Sequence, residues 1–241
     1  LFKKFKIPYI VAVRNTDVNV FFKKLIYLRS LGIEILRNAS KIIFLSHSYK
    51  EFVLDKYIPS DLRRYISEKS VVIPNGVDKF WVENIGKPKK INKEETIKIL
   101  QVGDINKNKN LLTTAKAISE LIQEGFSMEL NVVGKIVDKR IYNQITNYQF
   151  VSYLGYKSKE DLLKIYNDSH IFVLPSIYET FGLVYAEAMS QGLPIIYSKG
   201  QGFDGQFENG KVGFATESLS VTDLKANITD AIKKYTVLSE E

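Results

Sequence analysis

Beyond residue 94 the sequence alternates short apolar runs with longer amphipathic stretches, and this alternation restricts the fold more than any other feature. Residues 96–102, 128–133, 150–154, 171–174 and 194–197 read as strands. Continuous runs of branched apolar residues suit strands buried on both faces. Between them, residues 110–124, 159–167, 181–191 and 221–235 show helical spacing. Ser158 is placed to cap one helix, and Gly125 and Gly192 to stop two others. Strands separated by helices of this length predict right-handed βαβ units and a parallel sheet. Ligands of such sheets sit beyond the carboxyl ends of the strands.

The earlier part follows a similar but sparser pattern. Residues 8–13, 41–45 and 70–74 read as strands, the last closed by the turn pair Asn75-Gly76. Residues 18–39 carry apolar and basic residues at helical spacing, with a break at Gly32. Residues 48–57 read as a helix, and another restarts near Leu62 after Pro59. The polar, basic stretch GKPKKINK at 86–93 reads as a linker. Glycine usage changes there too, from three in residues 1–93 to eleven in 94–241. The expected organisation is a first domain at 1–85, a linker at 86–93 and a second domain at 94–241.

Composition narrows the chemistry. The 241 residues include no cysteine, which excludes disulfides, thiolate nucleophiles and Cys-based zinc sites. Two histidines, His47 and His170, offer little for a His-rich metal site, and no metal is expected. No run of 18 apolar residues is present, so no membrane-spanning helix is expected. Residues 1–93 hold 19 lysines and arginines against 8 acids, whereas 94–241 hold 15 against 19. A basic first part suits phosphorylated lipid, an anionic membrane or nucleic acid, or is simply a solvated lysine-rich face. Within it, residues 21–29 are basic and amphipathic, as a surface resting on anionic membrane would be, or a core helix with a solvated lysine face. No recognisable nucleic-acid motif interleaves aromatic and basic residues, so nucleic acid is not an expected partner.

The densest chemistry follows the strand at 171–174. There Pro175 ends a buried run, a helix is expected from Thr180 or Phe181, and Glu179 and Glu187 lie eight residues apart. Backbone amides near Phe181, Gly182 and Leu183 would face an anion at the helix start. Gly182 permits close approach of a ligand to the backbone. Glu187 falls among Ala186, Ala188 and Met189 on a largely apolar helix, where a carboxylate needs partners. Sugar hydroxyls are suitable partners for both acids, and a strand, a carboxylate and a helix in that order suit a nucleotide-sugar site.

At these residues the sequence resembles a family. Glu179 to Glu187 matches the E-x7-E signature of the retaining glycosyltransferases of GT-B fold in glycosyltransferase family 4. The continuation Glu187-Ala188-Met189 to Gly192-Leu193-Pro194-Ile195-Ile196 is similar to that family, as are Val102-Gly103 to Lys109-Asn110 and Pro74-Asn75-Gly76-Val77-Asp78. The resemblance is strong over 94–213 and weaker over 1–80. It implies an α/β protein with two Rossmann-like domains facing a cleft, the first incomplete, with further residues preceding Leu1. It also implies a metal-independent hexosyltransferase without a resident cofactor. Its co-substrate would be a nucleotide-sugar donor, a UDP- or GDP-sugar. Its acceptor would be a saccharide or lipid-linked saccharide of bacterial surface or capsular polysaccharide synthesis. The enzyme would be cytoplasmic, with peripheral contact at the inner face of an anionic membrane.

Carried over by position, Glu187 would bind the donor's ribose and Glu179 the transferred sugar. The amides of Thr180, Phe181, Gly182 and Leu183 would hold the sugar and distal phosphate. Gly103 and Asp104 would line the diphosphate loop, and Lys109 would neutralise the diphosphate as it leaves. Gly134, Leu154 and Gly155, with Tyr153 and Tyr156 beside them, would line the base pocket. Two positions depart from the family pattern. Asp104 stands where many members have Arg, and an acid beside a diphosphate is unfavourable unless it points away or binds a hydroxyl. Arg14 follows the first strand where many members have His. It is a candidate for contact with phosphate or sugar, or for a local ion pair with Asp17. Catalytic candidates are therefore Glu179, Lys109 and Arg14. A non-catalytic nucleotide-sugar or glycan-binding module is the competing reading, since Asp104 and the short first domain favour it.

Other signals are weaker. Gly200-Gln201-Gly202-Phe203-Asp204-Gly205 spells a G-x-G-x-x-G, but no helix is expected after it, so a loop over the donor sugar with Asp204 as a contact is the better reading. His47 lies between two serines without a nucleophile elbow, and a structural or cleft-lining role is expected. His170 is expected to be structural.

Overall fold

The computed structural model describes residues 7–14, 17, 22, 25–92 and 95–240. The candidate membrane segment at 21–29 lies partly outside them, as does the start of the chain. Among the described residues nine strands form two sheets, and every paired strand runs parallel to its neighbours. The chain divides into two compact units. One comprises Leu1–Gly76 with Glu179–Phe181 and Gly200–Gln206, and the other comprises Val77–Tyr178, Gly182–Lys199 and Phe207–Glu241.

The first unit holds a three-stranded sheet in the order β1 (Ile10–Ala12), β2 (Lys41–Phe44) and β3 (Ser70–Val72). Helices α1 (Arg29–Asn38), α2 (His47–Tyr57) and α3 (Ser60–Glu68) connect these strands. Ser46 begins α2 by accepting the Tyr49 backbone N–H at 3.1 Å. Ile42 and Phe44 of the central strand are fully buried, with Tyr49, Val53 and Ile66 packed around them. The edge strands are only half covered, and Ile10 is 64% exposed.

The second unit is built on a six-stranded sheet. Its strands are β4 (Ile97–Val102), β5 (Met128–Val133), β6 (Val151–Gly155), β7 (Ile171–Leu174), β8 (Ile195–Ser198) and β9 (Gly213–Thr216). The spatial order is β6-β5-β4-β7-β8-β9, the doubly wound order whose direction of winding reverses between β4 and β7. Helix α4 (Lys79–Glu83) precedes this sheet. Helices α5 (Leu111–Gln123), α6 (Lys139–Ile145), α7 (Lys159–Asp168), α8 (Leu183–Met189), α9 (Val221–Lys233) and α10 (Tyr235–Glu240) connect or follow its strands. Ser158 and Ser220 cap α7 and α9 through the backbone N–H groups of Asp161 and Asp223. One core joins Ile99, Leu130, Val173 and Ile196 to Ala115, Ile118, Leu224 and Ile228 of the helices. Elsewhere an aromatic series, Trp81, Tyr166, Phe172, Tyr185 and Tyr197, packs ring against ring in successive contacts of 5.5 to 6.3 Å.

The boundary between the compact units falls at Gly76–Val77, upstream of the linker expected at 86–93. That segment is held by the second unit. The Gly86 N–H donates to Ser190 O at 2.8 Å, and a Cβ on Gly86 would stand 2.7 Å from the Gln191 backbone. Lys89 is drawn in further, its ammonium donating to Tyr166 O at 2.7 Å and Ser169 O at 3.0 Å. Burial pushes its pKa down to about 8. His170 is structural as expected, since its Nδ1 accepts the Lys98 N–H at 2.9 Å and ties β4 to the start of β7. Four elements escaped the sequence reading: α4, α6, α10 and β9. The helix expected at 181–191 starts later, at Leu183, because Gly182 takes the left-handed conformation at φ 76°. No helix among the described residues is long and apolar enough to cross a membrane.

Candidate functional site

The reversal between β4 and β7 brings together the loops that leave the carboxyl ends of β4, β5 and β6. Gly103, the first residue after β4, donates its N–H to Val133 O at 2.9 Å, and Gly134 after β5 donates to Gly155 O at 3.1 Å. Ile105 donates to Lys135 O at 2.8 Å, so the β4 and β5 loops continue side by side. This closeness requires glycine. A Cβ on Gly134, whose φ is 151°, would stand 2.0 Å from Gly103 O. A Cβ on Gly103 would meet the Lys109 side chain at 3.3 Å, so the lysine stem lies over the glycine. Tyr153 Oη donates to Gly134 O at 2.9 Å, and the Lys135 ammonium sits 5.1 Å from the centre of the exposed Tyr156 ring.

Lys109 is fixed by a 3-10 turn at Lys107–Lys109. Asn106 Oδ1 accepts the Lys109 N–H at 3.2 Å, and Gln101 Nε2 donates to Lys109 O at 2.6 Å. Two asparagines that sequence reasoning did not single out as site residues anchor this turn to the end of β7. Asn108 exchanges hydrogen bonds with Tyr178, donating to its carbonyl at 2.9 Å and accepting its N–H at 3.0 Å. Asn110 is left-handed at φ 53°, donates to Pro175 O at 3.2 Å and also reaches Ser218 O. Asparagine tolerates that conformation better than most residues, which is the one signal that marks position 110 in the sequence. Asp104 is exposed.

Glu187 occupies a second cluster in the same unit. The Tyr166 hydroxyl donates to Glu187 Oε2 at 3.2 Å, and the buried Trp81 ring packs on Tyr166 at 5.5 Å. Lys159 is close enough to act on Glu187 electrostatically and is itself hydrogen-bonded to Asp78. Burial raises the Glu187 pKa above the usual carboxylate value, opposed by the Tyr166 hydrogen bond and by Lys159. Burial likewise raises the Tyr166 phenol well above its ordinary value, so it acts as a donor.

Arg14, Glu179, Thr180 and Phe181 belong to the other unit. Gly202 donates its N–H to Glu179 O at 2.7 Å, and Gln201 Oε1 accepts the Glu179 N–H at 2.9 Å. A Cβ on Gly202 would stand 2.0 Å from the Thr180 carbonyl, so the 200–206 loop backs the Glu179–Phe181 segment directly. The Asp204 carboxylate accepts the Gly200 N–H at 2.6 Å and so closes its own loop. Arg14 makes its side-chain bond to Asn75 Oδ1 at 2.8 Å, while Asp17 accepts the Arg14 backbone N–H at 2.8 Å. The second unit thus gathers Gly103, Asp104, Lys109, Gly134, Leu154, Gly155, Gly182, Leu183 and Glu187.

Comparisons with known proteins bear on the family and the fold. The family model "Glycosyl transferases group 1" matches residues 83–240. The capsular polysaccharide biosynthesis glycosyltransferase CapM of Staphylococcus aureus is 29% identical over 209 residues, covering 81% of this chain and 52% of that protein. An Escherichia coli protein named UDP-Gal:alpha-D-GlcNAc-diphosphoundecaprenol alpha-1,3-galactosyltransferase is 30% identical over 207 residues, covering 80% of this chain and 51% of that one. The chain spans about half the length of these curated relatives. Among solved structures, Anabaena HepE in complex with UDP and glucose superposes with a TM-score of 0.74 at 18% identity, over 97% of this chain and 65% of that one. The likeness shows a GT-B fold. With residues 83–240 matched, the chain belongs to the glycosyl transferases group 1 family.

Proposed function

We propose that this chain carries the donor side of a retaining glycosyltransferase. The enzyme moves a hexosyl group from a UDP- or GDP-sugar to a saccharide or lipid-linked saccharide in surface or capsular polysaccharide synthesis. The observation that carries the reading is the convergence of Gly103, Gly134 and Lys109 at the reversal point of the doubly wound sheet, where such folds take nucleotides. The named activities of CapM and the E. coli galactosyltransferase, and the UDP and glucose bound by HepE, support it.

In this reading the loop amides at Gly103 and Asp104 meet the diphosphate, with the Asp104 side chain directed to solvent. Lys109 offsets the charge that develops as the sugar's C1–O bond breaks. Gly134, Leu154 and Gly155 border the base, and Glu187 accepts the ribose hydroxyls. Glu179, with the backbone from Thr180 to Leu183, accepts and donates to the sugar, and Arg14 supplies a further positive charge. The acceptor oxygen bonds to C1 on the face the diphosphate leaves, and its proton passes to the departing diphosphate. No side chain is assigned as the base. The reaction takes place on the cytoplasmic side, with the acceptor at the membrane surface. Charge compensation is assigned to Lys109 and backbone amides, without a resident metal or cofactor.

A non-catalytic donor-binding module is the second reading, favoured by the acid at position 104. Calorimetric titration with UDP, GDP and their sugar conjugates tests the shared premise. We expect saturable binding of one nucleotide, weakened about tenfold or more by Lys109→Ala through loss of a charge-assisted contact. No binding by any of them would overturn both readings. Donor binding without hydrolysis or transfer would select the second.

A further inference from the structure

We propose that Tyr166, braced by Trp81, is a positioning residue of the donor site, its hydroxyl clamping the Glu187 carboxylate for a nucleotide's ribose. This rests on the reading of Glu187 as the ribose-binding acid.

Three separate elements build the clamp. Glu187 lies on α8, Tyr166 on α7 and Trp81 on α4. Both aromatic side chains are fully buried and pack edge to face at 5.5 Å. The Tyr166 ring is also 6.1 Å from Phe172, so its position is set by packing and not by the carboxylate. Its hydroxyl is 3.2 Å from Glu187 Oε2 and 3.4 Å from Val184 O. A rigid donor therefore meets one flexible acid.

A phenol holds the carboxylate in place without neutralising it. A lysine or arginine at that position would tie the acid in an ion pair. Lys159, which acts on Glu187 electrostatically, is itself hydrogen-bonded to Asp78. An ionised carboxyl group has about four acceptor positions, and the single donor leaves room for vicinal hydroxyls. Burial disfavours the charged form, and the clamp opposes that effect. The same contact fixes the rotamer, so the ligand meets an acid already aimed.

Trp81 is also the only tryptophan of the chain, which makes its emission a label-free reporter beside Tyr166. The test titrates UDP, GDP and their 2′-deoxy forms into the full chain and into Tyr166→Phe, following Trp81 emission and heat. The phenyl ring preserves the packing, and thermal melting confirms the fold. For the nucleotide that binds, we expect Tyr166→Phe to weaken the ribose form about tenfold, the scale of one hydrogen bond to a charged group. The 2′-deoxy form should weaken by less than about threefold, because a shared partner makes the two losses non-additive. Equal losses for both nucleotide forms would mark a merely structural role and overturn the clamp. Unchanged affinity for the ribose form would also overturn it and leave the donor site standing. A wild-type chain that binds no nucleotide would remove the donor site and the clamp together.

Discussion

The two sheets follow the same rule of parallel pairing with very different degrees of cover. Strands β7 and β8 of the second sheet are buried at every residue, while β1 and β3 of the first contain none that is fully buried. Parallel sheets are usually covered on both faces, and only the second meets that condition along its central strands. Some of the closest backbone contacts lie at strands of the second sheet or on loops that leave them. Gly134 and Gly213 would each place a Cβ at 2.0 Å or less from a neighbouring carbonyl, and Gly202, on the loop that leaves β8, would do the same at Thr180, whereas Gly76, beyond β3 of the first sheet, has nothing within 4 Å. The lesson is that tight packing and ligand-shaped loops occur together. Loops can be set to ångström tolerance only where the strands beneath them are fixed.

Substitutions can break this comparison, starting with the largest effect. Gly134→Ala should cost about 3 kcal/mol or more, since it combines left-handed strain with a clash against Gly103 O. Gly76→Ala should stay within about 0.5 kcal/mol. Chemical denaturation measures both, and equal costs would abolish the distinction. Next, Ile99→Ala at a fully buried position in β4 should cost about 2–5 kcal/mol through cavity formation. Val71→Ala in β3, 38% exposed, should cost less than about 1 kcal/mol because little area is lost from the interior.

The smallest effect is a pH dependence that sharpens the picture inside the second unit. Burial raises the folded pKa of Glu187, so the folded state holds that proton more tightly than the unfolded chain does. The resulting stability is fully present below the unfolded carboxylate value and is lost as pH rises through the raised one. Glu187→Gln should flatten that part of a melting-temperature profile. Nucleotide affinity should move the other way, rising across the same window as the acceptor form appears. Tyr166, Trp81, Lys159 and Asp78 surround the group, and none of them is expected to change charge there. A flat wild-type profile in this window would contradict the burial of Glu187.

Much of the second sheet was legible because its strands are uninterrupted apolar runs. Met128–Val133 and Ile171–Leu174 fall where the pattern places them. β9 escaped because its four residues start at Gly213, inside a stretch of turn residues, and only pairing with β8 makes them a strand. α4 has five residues, too few for a period to show, and its anchor Trp81 finds its partners far along the chain. The later start of α8 follows from the left-handed Gly182, which the sequence allows but does not demand. In the site, Gly103, Gly134 and Lys109 could be recognised by position. Asn108 could not, because its role depends on Tyr178, seventy residues away. The same holds for Tyr166, whose hydroxyl reaches Glu187 from another helix. The bond by which Asp204 closes its loop was equally invisible in the sequence.

Amide chemical-shift mapping of the full chain during titration with UDP, GDP and their sugar conjugates tests the central claim most directly. The account predicts that one nucleotide shifts Gly103, Asp104, Lys109, Gly134, Gly155 and the residues around Glu187, at the loops beyond β4, β5 and β6 and on α8. The amides of β1, β2 and β3 should stay in place. Shifts confined to the first sheet, or none with any nucleotide, would contradict a donor site at the reversal point of the second.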